Sequence, residues 1–72
     1  MEFNYNKLRG KIREVFGSEA RFCDKMPFNR STLSQKLNGI TEFNQSEMLI
    51  AMELLGIPTS RCDEYFFVVV KA

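Results

Sequence analysis

Seventy-two residues with ten Lys/Arg and nine Asp/Glu carry a net charge of +1, and 44% of them are hydrophobic. That is room for one domain, 1–72, near the lower size limit for a fold stabilised by a single apolar core, and it is too apolar for a disordered chain. No apolar run approaches the roughly 18 residues of a membrane span and no signal-peptide pattern opens the chain, so the expectation is a cytoplasmic protein with no membrane partner.

The chemistry-bearing residues exclude further classes. Histidine is absent, and Cys23 and Cys62 form no CxxC pair, so neither a zinc set nor a disulfide framework is indicated and both thiols are expected to be reduced. No nucleophile–base pair and no Gly-rich phosphate loop is recognisable. The chain is expected to be no enzyme, with no metal, no cofactor and no small-molecule substrate.

The first expected helix, 4–16, is amphipathic: Tyr5, Leu8, Ile12, Val15 and Phe16 recur at helical spacing among Lys7, Arg9, Lys11 and Arg13, and Gly17 closes it. Gly10 inside it costs about 1 kcal/mol relative to Ala, which close packing would explain. Ser18 is placed to cap a second helix, 19–26, with Phe22, Cys23 and Met26 on one face. Pro27 then forces a turn. Asn29 caps a third helix, 30–37, in which Leu33 and Leu37 form a narrow apolar seam and most other side chains are polar.

Asn38-Gly39 ends that helix, and a loop leads to a strong start signal: Asn44 and Glu47 have capping-box spacing, with Phe43 and Met48 placed as a hydrophobic staple. Met48, Ile50, Ala51, Met52, Leu54 and Leu55 make the fourth helix, 45–55, apolar over most of its circumference, and Gly56 and Pro58 stop it. A fifth short helix spans 60–65. The expected core is Leu8, Ile12, Phe22, Leu33, Leu37, Leu49, Met52 and Leu55. Phe66, Phe67, Val68, Val69 and Val70 then favour a short C-terminal strand, and an exposed edge of this kind either pairs, with a dimer mate, a neighbouring strand or another protein, or packs onto the domain's own core, the alternative open above all to Tyr65 and Phe66.

Charge is segregated along the chain. Up to Asn38, eight Lys/Arg face four Asp/Glu, a balance of +4; beyond it, two face five, a balance of −3. Such a split sets a positive field on one side of a small domain.

Residues Glu19 to Asn38, EARFCDKMPFNRSTLSQKLN, resemble the helix-turn-helix unit of the phage repressor and Cro superfamily, with Cys23 at the small-residue site where the helices cross and Leu33 and Leu37 as anchors. YNKLRGKIREVFGS before the unit, TLSQKLNG at its end, and ELLGIP followed by EYFF resemble small phage-encoded Cro-like regulators, among them modulators of repression. The resemblance implies an all-α, five-helix, lambda-repressor-like helix-turn-helix fold. It departs at the turn, where the family usually has glycine and this chain has Pro27, which cannot take a positive φ.

The resemblance also implies a DNA-facing surface. Asn29, Arg30, Ser31, Ser34, Gln35 and Asn38 would face base edges or phosphates; arginine pairs bidentately with guanine and glutamine with adenine. Ser18, Arg21, Lys25 and Lys36 are expected as phosphate contacts. Two functions follow in the lysis–lysogeny switch. One is Cro-like, sequence-specific binding of double-stranded operator DNA as a homodimer; the other is an antirepressor that binds the phage repressor and masks its DNA-binding surface. The first is the main reading; the low net charge, Pro27 and the apolar residues Phe66 to Val70, a candidate dimer or partner interface, are features in favour of the second, and the sequence does not decide between them.

Overall fold

The computed structural model describes residues 2–70. Five helices follow in chain order: α1 (Asn6–Phe16), α2 (Glu19–Cys23), α3 (Arg30–Leu37), α4 (Gln45–Leu55) and, after a 3-10 turn over Thr59–Arg61, α5 (Cys62–Phe66). The expected all-α, five-helix architecture is what forms. The expected C-terminal strand does not: among the described residues the only β pairing is an isolated antiparallel bridge between Phe3 and Val69.

Local chemistry sets most of the boundaries. Asn29 Oδ1 accepts from the Thr32 amide at 2.8 Å, starting α3. Asn44 Oδ1 accepts from the Glu47 amide at 2.8 Å while Glu47 Oε1 accepts from the Asn44 amide at 3.0 Å, completing the capping box of α4. Gly17 and Gly56 close α1 and α4 in the left-handed region, at φ 83° and 69°, where a Cβ is penalised. Beyond its own helix backbone and chain neighbours, nothing lies within 4 Å of where a Cβ on Gly10 would stand, so the close packing expected around it is absent.

Boundaries move in three helices, and α5 covers Cys62–Phe66, after the 3-10 turn, rather than 60–65. α1 begins at Asn6 rather than residue 4, because Asn4 Oδ1 accepts from the Asn6 amide at 2.8 Å from outside the helix. α2 stops at Cys23 rather than residue 26: Lys25 and Met26 donate to Phe22 O and Cys23 O, three residues back, which tightens the chain into a turn ahead of Pro27. Every residue of that turn has negative φ, so Pro27 is accommodated without a left-handed residue.

The core joins all five helices, with Leu8, Ile12 and Phe22 fully buried and Phe66 2% exposed; each contributes roughly 1.5–3 kcal/mol by leaving water. On α4 the stripe turned inward is Met48, Ala51, Met52 and Leu55, the i, i+3, i+4, i+7 pattern. Leu49, expected in the core, is 54% exposed on the flank of that stripe. A chain of aromatic contacts links Phe3 to Tyr5 at 6.4 Å, Tyr5 to Phe43 at 5.4 Å and Phe43 to Phe66 at 5.3 Å, the last two edge-on. It ties the N-terminal segment, the α3–α4 loop and α5 together.

Polar contacts finish the frame. Glu64 on α5 accepts from Lys7 Nζ at 2.9 Å and from Arg61 at 2.8 and 3.0 Å, so α5 is clamped to α1. The hydrogen bonds from Arg61 and Lys7 hold the Glu64 carboxyl down to about 2. Because this folded value lies below the ordinary one of 4.5, the stabilisation is present above that pH and is lost as pH falls toward 2. An NMR titration should therefore find Glu64 still ionised at pH 3, with its transition moving upward in Lys7→Met and Arg61→Met. An unshifted Glu64 in the native chain would show that the clamp does not form.

Candidate interaction surfaces

Helix α2, the turn and α3 bring the expected DNA-facing residues to one side, but not as equals. Ser18 spends its hydroxyl as the α2 cap, accepting from the Arg21 amide at 3.2 Å, and Asn29 spends its carbonyl as the α3 cap. Asn38 is tied back: its Oδ1 accepts from Arg9 Nη2 at 2.9 Å and its Nδ2 donates to Ser34 Oγ at 3.4 Å. Arg9 also donates to Glu19 at 3.0 Å, so one guanidinium on α1 holds both α2 and the end of α3.

Lys36, expected among the phosphate contacts, is buried at 7% exposure. Its ammonium lies 2.9 Å from Glu47 Oε1, donates to Glu42 O at 2.9 Å and stands over the rings of Phe28 and Phe43 at 5.5 and 5.7 Å. The physical reason is geometric. Position 36 lies beside the Leu33/Leu37 seam, close to the start of α4, and a long side chain there reaches the Glu47 carboxylate more readily than solvent. This pair is the feature the sequence reading missed. The available signal was the flanking Phe28 and Phe43, which make a low-dielectric site for a cation.

What remains exposed on this side is Arg21, Lys25, Arg30, Ser31 and Gln35, whose side chains make no hydrogen bond or ion pair among the described residues, together with Ser34. Arg30, Ser31 and Ser34 line an open groove of about 450 Å³ whose opposite wall is Glu19 and Ala20. Cys23 sits where the two helices meet, its thiol donating to Phe28 O at 3.4 Å. Burial, then the Asp24 charge, pushes that thiol up; burial, then Asp63, does the same to Cys62. Both cysteines are free thiols.

The second candidate surface is at the opposite end of the chain. Phe66, expected at a partner interface, is 2% exposed and belongs to the core. Phe67, Val68, Val69 and Val70 are the exposed part, and they pair with the N-terminal segment of the same chain: the Asn4 amide donates to Val68 O at 2.6 Å and the Val70 amide to Glu2 O at 2.9 Å. Phe67 packs edge-on against Phe3 at 5.8 Å. The backbone edge thus finds a neighbouring segment, while the side chains stay open to solvent. Beside them, Met48, Leu49, Met52, Cys62 and Phe67 line an apolar groove of about 300 Å³ between α4 and α5.

Comparison with known proteins places this architecture. The family model described as "Protein of unknown function (DUF739)" matches residues 1–68. The chain belongs to the DUF739 family. This DUF739 chain is also similar to a solved structure, the solution structure of the modulator of repression of the temperate bacteriophage TP901-1 from Lactococcus lactis: 33% identity, 93% of this chain and 90% of that one covered, TM-score 0.80. No curated protein matches. Among the described residues, no helix is long and apolar enough to cross a membrane.

Burial of the Lys36–Glu47 pair has a measurable consequence. Lys36→Ala leaves a nearly buried carboxylate without its cation and is expected to cost about 3–5 kcal/mol, most of the stability of so small a chain. Arg30→Ala should stay within about 0.5 kcal/mol. Urea unfolding measures both, and equal stability of the two variants would show that Lys36 faces solvent.

Proposed function

We propose that this chain is a modulator of repression in a temperate phage, acting by binding the repressor protein rather than by reading operator DNA. The observation that carries the reading is the 33% identity and 0.80 TM-score to a phage modulator of repression, over nine-tenths of both chains. The state of the α2–α3 side supports it. Lys36, Asn29, Asn38 and Ser18 are committed to internal contacts, which leaves Arg21, Lys25 and Arg30 as that side's exposed cations. Three cations neutralise about three phosphates, against roughly 6–10 for a strongly salt-dependent DNA binder. In this role the chain works as one domain in the cytoplasm of the host cell, without cofactor or catalysis.

Cro-like binding of DNA is the second reading. It is favoured by one arrangement: Arg30, Ser31 and Gln35 project unpartnered from a short polar helix, as a recognition helix presents its readers.

Gel-shift experiments with operator DNA separate the two. Under the proposed function the chain alone leaves the operator unshifted at micromolar concentration and alters the shift produced by the repressor of the same phage. A shift by the chain alone, relaxed in sequence preference by Arg30→Ala, would replace the proposal with the DNA-binding reading.

A further inference from the structure

The surface on which a repressor could be held follows from charge. A face that binds DNA must itself be basic, because it neutralises phosphates. The α2–α3 side of this chain exposes Arg21, Lys25 and Arg30 against one carboxylate unpaired among the described residues, Asp24, and so carries the same net sign as any such face and repels it. The α4–α5 side is the reverse. Its floor is the groove of Met48, Leu49, Met52, Cys62 and Phe67, in which Leu49 is 54% and Phe67 49% exposed.

Two carboxylates without an ion pair among the described residues, Glu53 and Asp63, lie beside that floor, and a third, Glu42, lies across a ridge from it. Glu53 lies one helical turn beyond Leu49 on α4, and Asp63 one turn before Phe67, so each shares a face with an exposed apolar residue of the groove. Glu42 lines a smaller recess of about 130 Å³, shared with Phe3 and Phe43, on the other side of a ridge formed by Met48 and Phe67. Apolar floor and acidic rim form the usual anatomy of a protein-binding patch, here with one sign of charge.

Resting on the function proposed above, we infer that the α4–α5 groove, with Glu53 and Asp63 beside it and Glu42 across the Met48/Phe67 ridge, is the docking surface, and that it receives the basic DNA-contacting face of the repressor. An apolar side chain of that face enters the groove over Leu49, and its Arg or Lys residues meet the rim in place of phosphates. Occupation of this surface and of DNA by the repressor is then mutually exclusive through charge alone.

Titration calorimetry of the full chain with the purified repressor, at two salt concentrations, tests this. Leu49→Ser and the double variant Glu53→Lys/Asp63→Asn, all at exposed positions, should each weaken binding by about tenfold or more. The double variant should also lose most of the salt dependence. Arg21→Ala/Arg30→Ala should bind as tightly as the native chain, or more tightly, and far-ultraviolet circular dichroism verifies that each variant is folded. Native affinity in the groove variants with loss in Arg21→Ala/Arg30→Ala would overturn the assignment of the surface while leaving the proposed function standing. A native chain that does not bind the repressor would overturn both. If Leu49→Ser instead converts a dimer into a monomer without affecting repressor binding, the groove belongs to a second copy of this chain and the inference fails.

Discussion

The ammonium of Lys36 sits among Glu47, the Glu42 carbonyl and two phenyl rings, and the arrangement of everything after α3 depends on it. Glu47 is shared: the same carboxylate completes the capping box with Asn44. One ion pair therefore fixes the end of α3, the loop that follows and the first turn of α4. A charge pair taken out of water repays its desolvation only with good geometry and further hydrogen bonds. Here both are present, with two contacts of 2.9 Å from one nitrogen, and no buried side-chain polar atom among the described residues lacks a partner.

Drawing Lys36 inward also changes the outer surface. It removes a cation from α3, the helix that the family resemblance marks as the reader of DNA, and Arg9 removes further polar groups by holding Glu19 and Asn38. The positive charge of the first half of the chain that is unpaired among the described residues survives on Arg13 of α1 and on Arg21, Lys25 and Arg30. The negative charge of the second half gathers around α4 and α5, where the apolar surface is also exposed. The molecule has a sparse basic side and an acidic, apolar side, and of the two the latter is better built to hold a protein that itself carries positive charge.

The elements that local chemistry determines were legible in the sequence. α3 and α4 begin and end where Asn29, the Asn44–Glu47 box and Gly56 place them, because each signal is complete within a few residues. The end of α2 was less legible, because the chain leaves helical geometry before Pro27 rather than at it. Leu49 and Lys36 were each read on the wrong side of the surface. An all-round apolar helix suggests burial all round, but five short helices cannot cover one another completely in so small a chain, and the flank of α4 holding Leu49 stays open. Lys36 is buried because Phe28, Glu42, Phe43 and Glu47, on both sides of it in sequence, are folded back around its ammonium by the turns before α3 and after it, which the periodicity of α3 alone does not show. The C-terminal segment shows the same division: the need of Val68–Val70 for a pairing partner was readable, whereas its identity, residues 2–4 at the other end of the chain, was tertiary information.

The central claim is that the chain meets a repressor with its acidic, apolar side. The measurement that addresses this most directly is an amide chemical-shift map of the isotopically labelled chain as repressor is added. The account predicts that the perturbed amides cluster on α4, α5 and residues 67–70, with those of residues 29–38 unchanged. Perturbations confined to α3 and the residues before it, with α4 and α5 silent, would contradict it.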